Sequence, residues 1–198
     1  MRKRNGIFAI LLCTILVVGL TSCYGHKTQK TESQSYALKF GDVEVIPGET
    51  TLQALYDIDF TVEAAIGNAA ENSPEWRTAA LSGDMMLGED TICRDLYLMK
   101  DGVKQARVDV STEEACALSD AVVAAIYVDL TVKPTAYISF SGIALSDLTQ
   151  DVFVDLFDIP VEQDGSTGAT YRGEKFDVDA HWNEEGKLTS ICSQITYE

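Results

Sequence analysis

The chain opens with an apolar block that differs from every later one. Residues 7–19 are almost all apolar and follow a basic start that carries Arg2, Lys3 and Arg4. A basic start before a short apolar run is typical of a secretory signal. The run is about thirteen residues long and a transmembrane helix needs about 20, so we expect no lasting membrane span.

After this leader and a polar stretch, the pattern predicts short strands and turns. Residues 38–45 predict a strand pair around Gly41, and Thr50 or Thr51 can cap a short helix. The pattern returns to strand character at residues 60–65. A first structured unit therefore begins with strands and a short helix.

Residues 68–77 are predicted to form a polar loop, and residues 95–110 a β-hairpin. Asp101 and Gly102 lie between the two strands of the hairpin, where Asp-Gly supplies the positive φ angles of a two-residue turn.

Residues 111–130 give two further predictions. Ser111 and Glu114 have the spacing of a capping box, which predicts a short helix through Leu118. Residues 121–130 are apolar and rich in β-branched side chains, which predicts a central strand buried on both faces.

The last third of the chain predicts a helix followed by strands. A strand at residues 137–140 precedes a helix that Asp147 with Gln150 can cap and that extends to Phe157. The segments that follow are a loop at residues 164–168, a strand at 176–182 and a final strand at 187–197. We therefore expect an α+β fold, mostly antiparallel sheet with short helices, in two units at residues 36–133 and 134–198 that can pack as one domain.

The charge of the chain excludes one class of partner. It has 31 acidic and 15 basic residues among 198, for a net charge of -16, and 46% of its residues are hydrophobic. That composition is typical of a globular protein, and the excess of acid would repel phosphate. We expect no nucleic-acid partner.

Few residues suggest catalysis. The two histidines are His26, in the polar stretch, and His181, and no Gly-x-Ser-x-Gly motif accompanies them. Asp177, Asp179 and His181 alternate onto one strand face and could contribute to a cation site, but the wet side of a half-buried strand, opposite Trp182, is the favoured interpretation. We predict no enzyme activity, no metal and no cofactor.

Three cysteines lie after residue 23: Cys93, Cys116 and Cys192. At most one intramolecular disulfide can form among three, and buried free thiols are the alternative. No Cys or His spacing suggests zinc.

The end of the leader, Leu20-Thr21-Ser22-Cys23, resembles the lipobox of bacterial lipoproteins. The resemblance implies that residues 1–22 are a signal peptide and that Cys23 carries the lipid. The residues after Cys23 are polar and lack apolar periodicity, so residues 23–35 are predicted to form a flexible tether. It also implies a location at the cell membrane, on its extracytoplasmic face, because two acyl chains anchor a protein stably.

The second unit resembles the helix-plus-hairpin module of small bacterial lipoproteins such as the SmpA-type outer-membrane assembly factor and the β-lactamase inhibitor protein. The residues that carry this are 151–160, 176–182 and 185–191. Residues 46–55 are similar to a segment that precedes such a module in lipoproteins of gram-positive gut bacteria. The resemblance implies an α+β fold and an extracytoplasmic binding role, with no catalytic residues.

An internal repeat is a further hypothesis. An offset of 101 residues lays Gly41 on Gly142 and residues 55–58 on 156–159. Both places have the order strand, glycine turn, short helix and Leu-aromatic-Asp-Ile, which could reflect duplication or helix ends in general.

Three functions remain open from the sequence. The first is binding of a protein partner at the cell surface or of an envelope component, through an exposed sheet face or loop aromatics such as Trp76 or Trp182. The second is a solute-binding or hydrolytic lipoprotein with a pocket between the two units. The third is a structural envelope spacer.

Overall fold

The computed structural model describes residues 36–67, 70–71, 73–132, 134, 137–157 and 160–196. The signal peptide, the tether, Cys23 and the Asp158-Ile159 part of the repeat lie outside these ranges. Among the described residues, no helix is both long and apolar enough to cross a membrane.

The described part of the chain contains fifteen strands and two short α-helices. The strands are β1 Leu38–Phe40, β2 Val43–Val45, β3 Thr61–Ile66, β4 Arg77–Leu81, β5 Met86–Leu87, β6 Ile92–Lys100, β7 Val103–Ser111, β8 Cys116–Ala117, β9 Val122–Asp129, β10 Ile138–Phe140, β11 Ile143–Ala144, β12 Glu162–Asp164, β13 Gly168–Arg172, β14 Phe176–Trp182 and β15 Leu188–Ile195. The helices are α1 Leu52–Tyr56 and α2 Gln150–Asp155, and 3-10 turns lie at Leu118–Asp120 and Leu145–Asp147.

Strand pairing among the described residues produces three antiparallel sheets. The large sheet has nine strands in the order β12-β13-β14-β15-β9-β7-β6-β3-β4. A small sheet has the order β11-β10-β1-β2, and β5 pairs with β8. The prediction of mostly antiparallel sheet with short helices is confirmed, and the fold is richer in strand than an evenly mixed α+β protein.

Strands from before and after residue 133 share both larger sheets. In the large sheet, β9 pairs with β15, with Tyr127 opposite Cys192. In the small sheet, β1 pairs with β10, with Leu38 opposite Phe140. The backbone ladders of the two segments are therefore continuous with each other.

The hydrophobic core lies on one face of the large sheet. The small sheet contributes Phe40 and Phe140, helix α2 contributes Phe153, and the large sheet contributes Phe176, all fully buried. Helix α1 contributes Leu52 and Leu55. The rings of Phe140 and Phe153 stack with their centroids 5.6 Å apart. Period-two alternation sends these apolar side chains to one side of each strand and leaves polar ones on the other.

Two predicted hairpins are confirmed. Gly41, with a φ of 58°, lies in the turn between β1 and β2, and Asp101 and Gly102 have φ values of 52° and 73° in the turn between β6 and β7. Helix α1 follows Thr51 as predicted, but no side chain caps it. The hydroxyl of Thr50 instead accepts a hydrogen bond from the N–H of Ile46, at 2.9 Å.

The capping-box prediction is wrong. Ser111 is the last residue of β7 and pairs with Ile92 of β6, so it cannot begin a helix. The next N–H, of Thr112, donates to the carbonyl of Thr91 at 2.9 Å. Cys116 then pairs with Leu87 in the ribbon of β5 and β8. Local spacing favoured a cap, but strand pairing across the sheet uses the same backbone groups.

Two further predictions need correction. Strand β9 is central, but only one of its faces is fully buried: Ile126 and Val128 are inaccessible, while Tyr127 beside them is half-buried. Helix α2 is capped by Thr149 rather than Asp147, because its hydroxyl accepts a hydrogen bond from the N–H of Val152.

The sequence pattern did not predict strands β4, β5, β8, β11, β12 and β13. Residues 68–77 were predicted to form a loop, but Arg77 already begins β4. Residues 164–168 were also predicted to form a loop, but Asp164 is the last residue of β12 and Gly168 is the first of β13. These strands are short and carry small or charged side chains such as Ala79 and Glu162, so their own sequence has little strand preference. Pairing with a neighbouring strand stabilises them.

Candidate binding surface on the sheet

The face of the large sheet that points away from the core, termed here the open face, carries one continuous row of side chains. The row crosses all nine strands, and each member lies directly opposite the next. Its members are Glu162, Thr170, Asp179, Cys192, Tyr127, Arg107, Tyr97, Glu63 and Ala80. This central row combines aromatic rings, a guanidinium group and carboxylates.

Arg107 occupies the middle of the central row. Its guanidinium lies over the ring of Tyr127, 4.5 Å from the centroid, and its Nη1 is 3.3 Å from a carboxylate oxygen of Asp95. The N–H of Asp95 donates to the carboxylate of Asp109 at 2.9 Å. The Asp95 carboxylate and the Tyr127 ring thus contact the guanidinium directly, and Asp109 fixes the backbone of Asp95.

Backbone irregularities in two strands create this arrangement. The pairing of β6 with β7 shifts between Cys93 and Leu96, and Asp95 within this bulge has a φ of 55°. The pairing of β7 with β9 shifts next to Asp109. Bulges increase the local twist and redirect side chains, which here brings the Asp95 carboxylate toward Arg107.

A shallow depression of about 170 Å³ lies beside Arg107. Its lining residues are Asp95, Arg107, Asp109, Ala125, Tyr127, Cys192 and Gln194. Burial raises the pKa of the Cys192 thiol to about 12, and the nearby Asp179 and Asp109 carboxylates add to the shift. The thiol is therefore protonated at neutral pH and is a poor nucleophile.

Strand β14 places its polar residues on the open face and its apolar ones in the core. Asp179 accepts a hydrogen bond from Thr170 at 2.6 Å, and His181 is exposed. Asp177 is only 8% exposed, because it lies against Arg172, at 2.9 Å. Within the described ranges, no group of three or more His, Cys, Asp or Glu side chains is arranged to hold a metal ion.

Trp76 lies beside the central row, at Tyr97 of β6. It is half-buried, with its ring edge-to-face on Tyr97 at a centroid distance of 5.2 Å. Lys104 lies over the same tyrosine ring, 5.8 Å from its centroid, and pairs with Glu71. Burial, followed by the charges of Glu71 and Asp95, raises the pKa of Tyr97.

Trp182 lies on the opposite side of the sheet. It is 3% exposed, its indole N–H donates to the carbonyl of Leu148 at 2.8 Å, and its ring packs on Phe153. Of the two tryptophans that the sequence suggests for binding, the structure therefore brings only Trp76 to the open face.

A second cavity, of about 500 Å³, lies where the segments before and after residue 133 meet. Its lining residues are Leu130, Pro134, Tyr137, Ile138, Ala144, Leu145, Ser146, Lys187 and Leu188. Most are apolar, and the ammonium of Lys187 is paired with Glu185 at 3.0 Å.

Cys93, Cys116 and Cys192 are all free thiols.

The residues at the centre of the open face were not identified from the sequence. Arg107 with Asp109, and Ala125 with Tyr127, alternate with buried residues in β7 and β9, which marks one polar face on each strand. That alternation could have identified the face. The contact between Arg107 and Tyr127 depends on strand register, which the sequence pattern did not specify.

Comparison of the chain with protein-family models, with curated proteins and with solved structures gave no match.

Proposed function

We propose that this chain is a lipid-anchored extracytoplasmic protein that binds a protein or an envelope component through the open face of its large sheet. The observation that carries the proposal is the central row. There Arg107 and Tyr127 lie in contact on the open face, which points away from the core. Tyrosine, tryptophan and arginine are the residues that contribute most to protein interfaces.

The anchor belongs to the same proposal. Leu20-Thr21-Ser22-Cys23 supports lipidation of Cys23, and the polar residues 24–35 would tether the domain to the membrane. The acidic chain would be repelled by anionic lipid headgroups, so the open face would be held available to a partner outside the membrane.

The two segments of the chain support a duplication as part of the proposal. Each begins with a β-hairpin that has a two-residue turn, β1–β2 in the first segment and β10–β11 in the second. A short helix follows each hairpin. In the small sheet, Leu38 lies opposite Phe140 and Phe40 lies opposite Ile138. This symmetric pairing matches each residue of the first hairpin with the residue 100 positions later in the second, whereas the sequence comparison used an offset of 101. In the large sheet, four antiparallel strands of the first segment lie on one side of β9, and four of the second segment lie on the other.

Site-specific photocrosslinking in intact cells tests the binding face. A benzoylphenylalanine at Gln194, on the open face, should crosslink to a partner, and the same residue at Gln53, exposed on α1, should not. The substitutions Arg107→Ala and Tyr127→Ala should each lower the yield from position 194 about tenfold or more, with unchanged circular dichroism. Equal crosslinking from both positions would contradict the proposal.

The anchor is tested separately. Wild-type chain should fractionate with membranes and incorporate labelled palmitate, whereas Cys23→Ala should do neither. A Cys23→Ser variant gives a matched control that retains a polar side chain. Palmitate incorporation by either variant would rule out Cys23 as the attachment residue.

A further inference from the structure

The two outer strands of the large sheet differ in how they are protected. Strand β12 has three exposed residues, and two of them, Glu162 and Asp164, are charged. Strand β4 has five residues and pairs with β3 without a bulge, from Arg77 opposite Ile66 to Leu81 opposite Val62. Charges, bulges and short length are the usual protections of an edge strand. Residues 78–81, Thr-Ala-Ala-Leu, have none of these.

Arg77, the one charged residue of β4, does not shield this edge. Its guanidinium turns back onto the preceding loop, where it donates to the carbonyls of Pro74 and Trp76, each at 2.7 Å. No described strand pairs with the outer side of β4. Within the described ranges, its outward N–H and C=O groups are therefore available to a further strand.

The two sides of this edge have different chemistry. On the core side, Ala79 and Ile66 are exposed, with Ile66 54% accessible, and they extend the apolar surface past the covered core. On the open-face side, Ala80 lies opposite Glu63, whose carboxylate accepts a hydrogen bond from Thr78. A strand added here would therefore place alternate side chains against an apolar strip and beside a carboxylate.

The surrounding charge favours a basic occupant. Glu75 precedes β4 and Asp84 follows it, both exposed, and Glu63 lies on the neighbouring strand. A second copy of the chain would bring the same acids and a net charge of -16 to the contact. Five paired residues would also bury less than the roughly 1,200 Å² of a stable interface between proteins. A short basic peptide brings no such acids, and strand addition binds a peptide through main-chain hydrogen bonds rather than through a large buried area.

We propose that β4 binds an extended segment of another protein in which aliphatic and basic residues alternate, by adding it as a tenth strand of the large sheet. Main-chain hydrogen bonds supply the affinity in this type of recognition, and alternate side chains supply the selectivity. The inference does not depend on the open face being a binding site.

Fluorescence anisotropy with labelled peptides tests the proposal on the purified full chain. The probe is acetyl-Thr-Val-Lys-Val-Lys-Val-Thr-amide. A peptide N-methylated along one edge keeps every side chain but lacks the amide donors of that edge. A third peptide replaces each Lys by Glu. We expect the probe to bind, and the N-methylated and Glu peptides to bind at least about tenfold more weakly.

Matched variants locate the peptide. Ala79→Lys, on β4, should weaken probe binding at least about tenfold, because it places a charged side chain on the apolar strip that the valines of the peptide would cover. Gln163→Lys, on β12, and Tyr127→Ala, on the open face, should leave it unchanged. If Ala79→Lys fails to fold, the N-methylated peptide decides the question without a protein variant.

Four outcomes would overturn the proposal. These are no binding of the probe, equal binding of the N-methylated peptide, loss of binding in Tyr127→Ala, and dimerisation of the chain that Ala79→Lys abolishes. The third would assign the peptide to the open face, and the last would make a second copy the occupant of β4. Crosslinking from Gln194 is unaffected by any of them, so the two proposals fail separately.

Discussion

The two faces of the large sheet are built from the same strands but have different chemistry. On the core face, Trp182 packs against Phe153 among other buried apolar side chains. On the open face, Arg107 and Tyr127 meet in a half-buried contact bordered by carboxylates. A side chain contributes to stability on the first face through burial, whereas on the second it is available to a partner.

The largest effect should come from the core. Phe153→Ala should lower the free energy of unfolding by about 3–5 kcal/mol, because a fully buried ring is removed from contact with Phe140, Phe157 and Trp182. Tyr127→Ala, on the open face, should cost about 1 kcal/mol, the scale of its cation–π contact. Urea unfolding of both variants measures the difference, and similar losses would contradict the distinction between the faces.

The two tryptophans give a more sensitive comparison. Trp182→Phe should cost about 1–3 kcal/mol, because the buried carbonyl of Leu148 loses its donor. Trp76→Phe, which keeps a ring against Tyr97, should cost about 0.5 kcal/mol. Thermal and urea unfolding measure both, and a greater loss for Trp76→Phe would show that the loop aromatic is structural.

Cys192 distinguishes the faces through pH. An ordinary thiol has a pKa of 9.0, and that of Cys192 is raised to about 12. Well below pH 9 the thiol is protonated in both folded and unfolded chains. As the pH rises from 9 toward 12 it ionises first in the unfolded chain, so the wild type loses stability in that interval.

Replacing Cys192 removes this loss. Between pH 8 and pH 10, the unfolding free energy of Cys192→Ala should rise relative to wild type by about 1 kcal/mol. Cys192→Ser, which has no thiol to ionise, should show the same change. Urea unfolding at the two pH values measures it, and a pH-independent difference between variant and wild type would refute the assigned burial.

The smallest effect on stability should come from Asp95→Asn. The pair with Arg107 is exposed, and such pairs contribute about 0–1 kcal/mol. Asparagine tolerates the positive φ of this position, so the backbone should not change. We expect a loss below about 0.5 kcal/mol, measured in urea, together with weaker crosslinking from position 194 because Arg107 is released.

The sequence predicts those parts of the fold that local chemistry determines. Asp101-Gly102 identified the hairpin between β6 and β7, and alternation in residues 176–182 identified which side of β14 is dry. Strands β4 and β12 were missed because pairing, rather than their own residues, stabilises them. The prediction of a helix cap at Ser111 was wrong for the same reason, because Ser111 pairs with Ile92 of β6, 19 residues away in sequence.

The candidate site was harder to predict than the fold. Its row joins Tyr97, Arg107, Tyr127 and Cys192 from four strands, and their contacts depend on register and on the bulge at Asp95. Each residue alone is an ordinary strand residue. A one-residue slip in any pairing would move the corresponding side chain to the opposite face.

The position of β9 also affects how the chain folds. Strand β7, its neighbour on one side, ends eleven residues before β9 begins, but its other neighbour, β15, begins 59 residues after β9 ends. The β6–β7–β9 part can form early, whereas the second edge of β9 stays unpaired until β15 arrives. Distant pairing of this kind slows folding, since loop closure precedes the contacts that stabilise it. Folding should show a slow phase that Ile191→Ala, on β15, retards more than Val108→Ala, on β7.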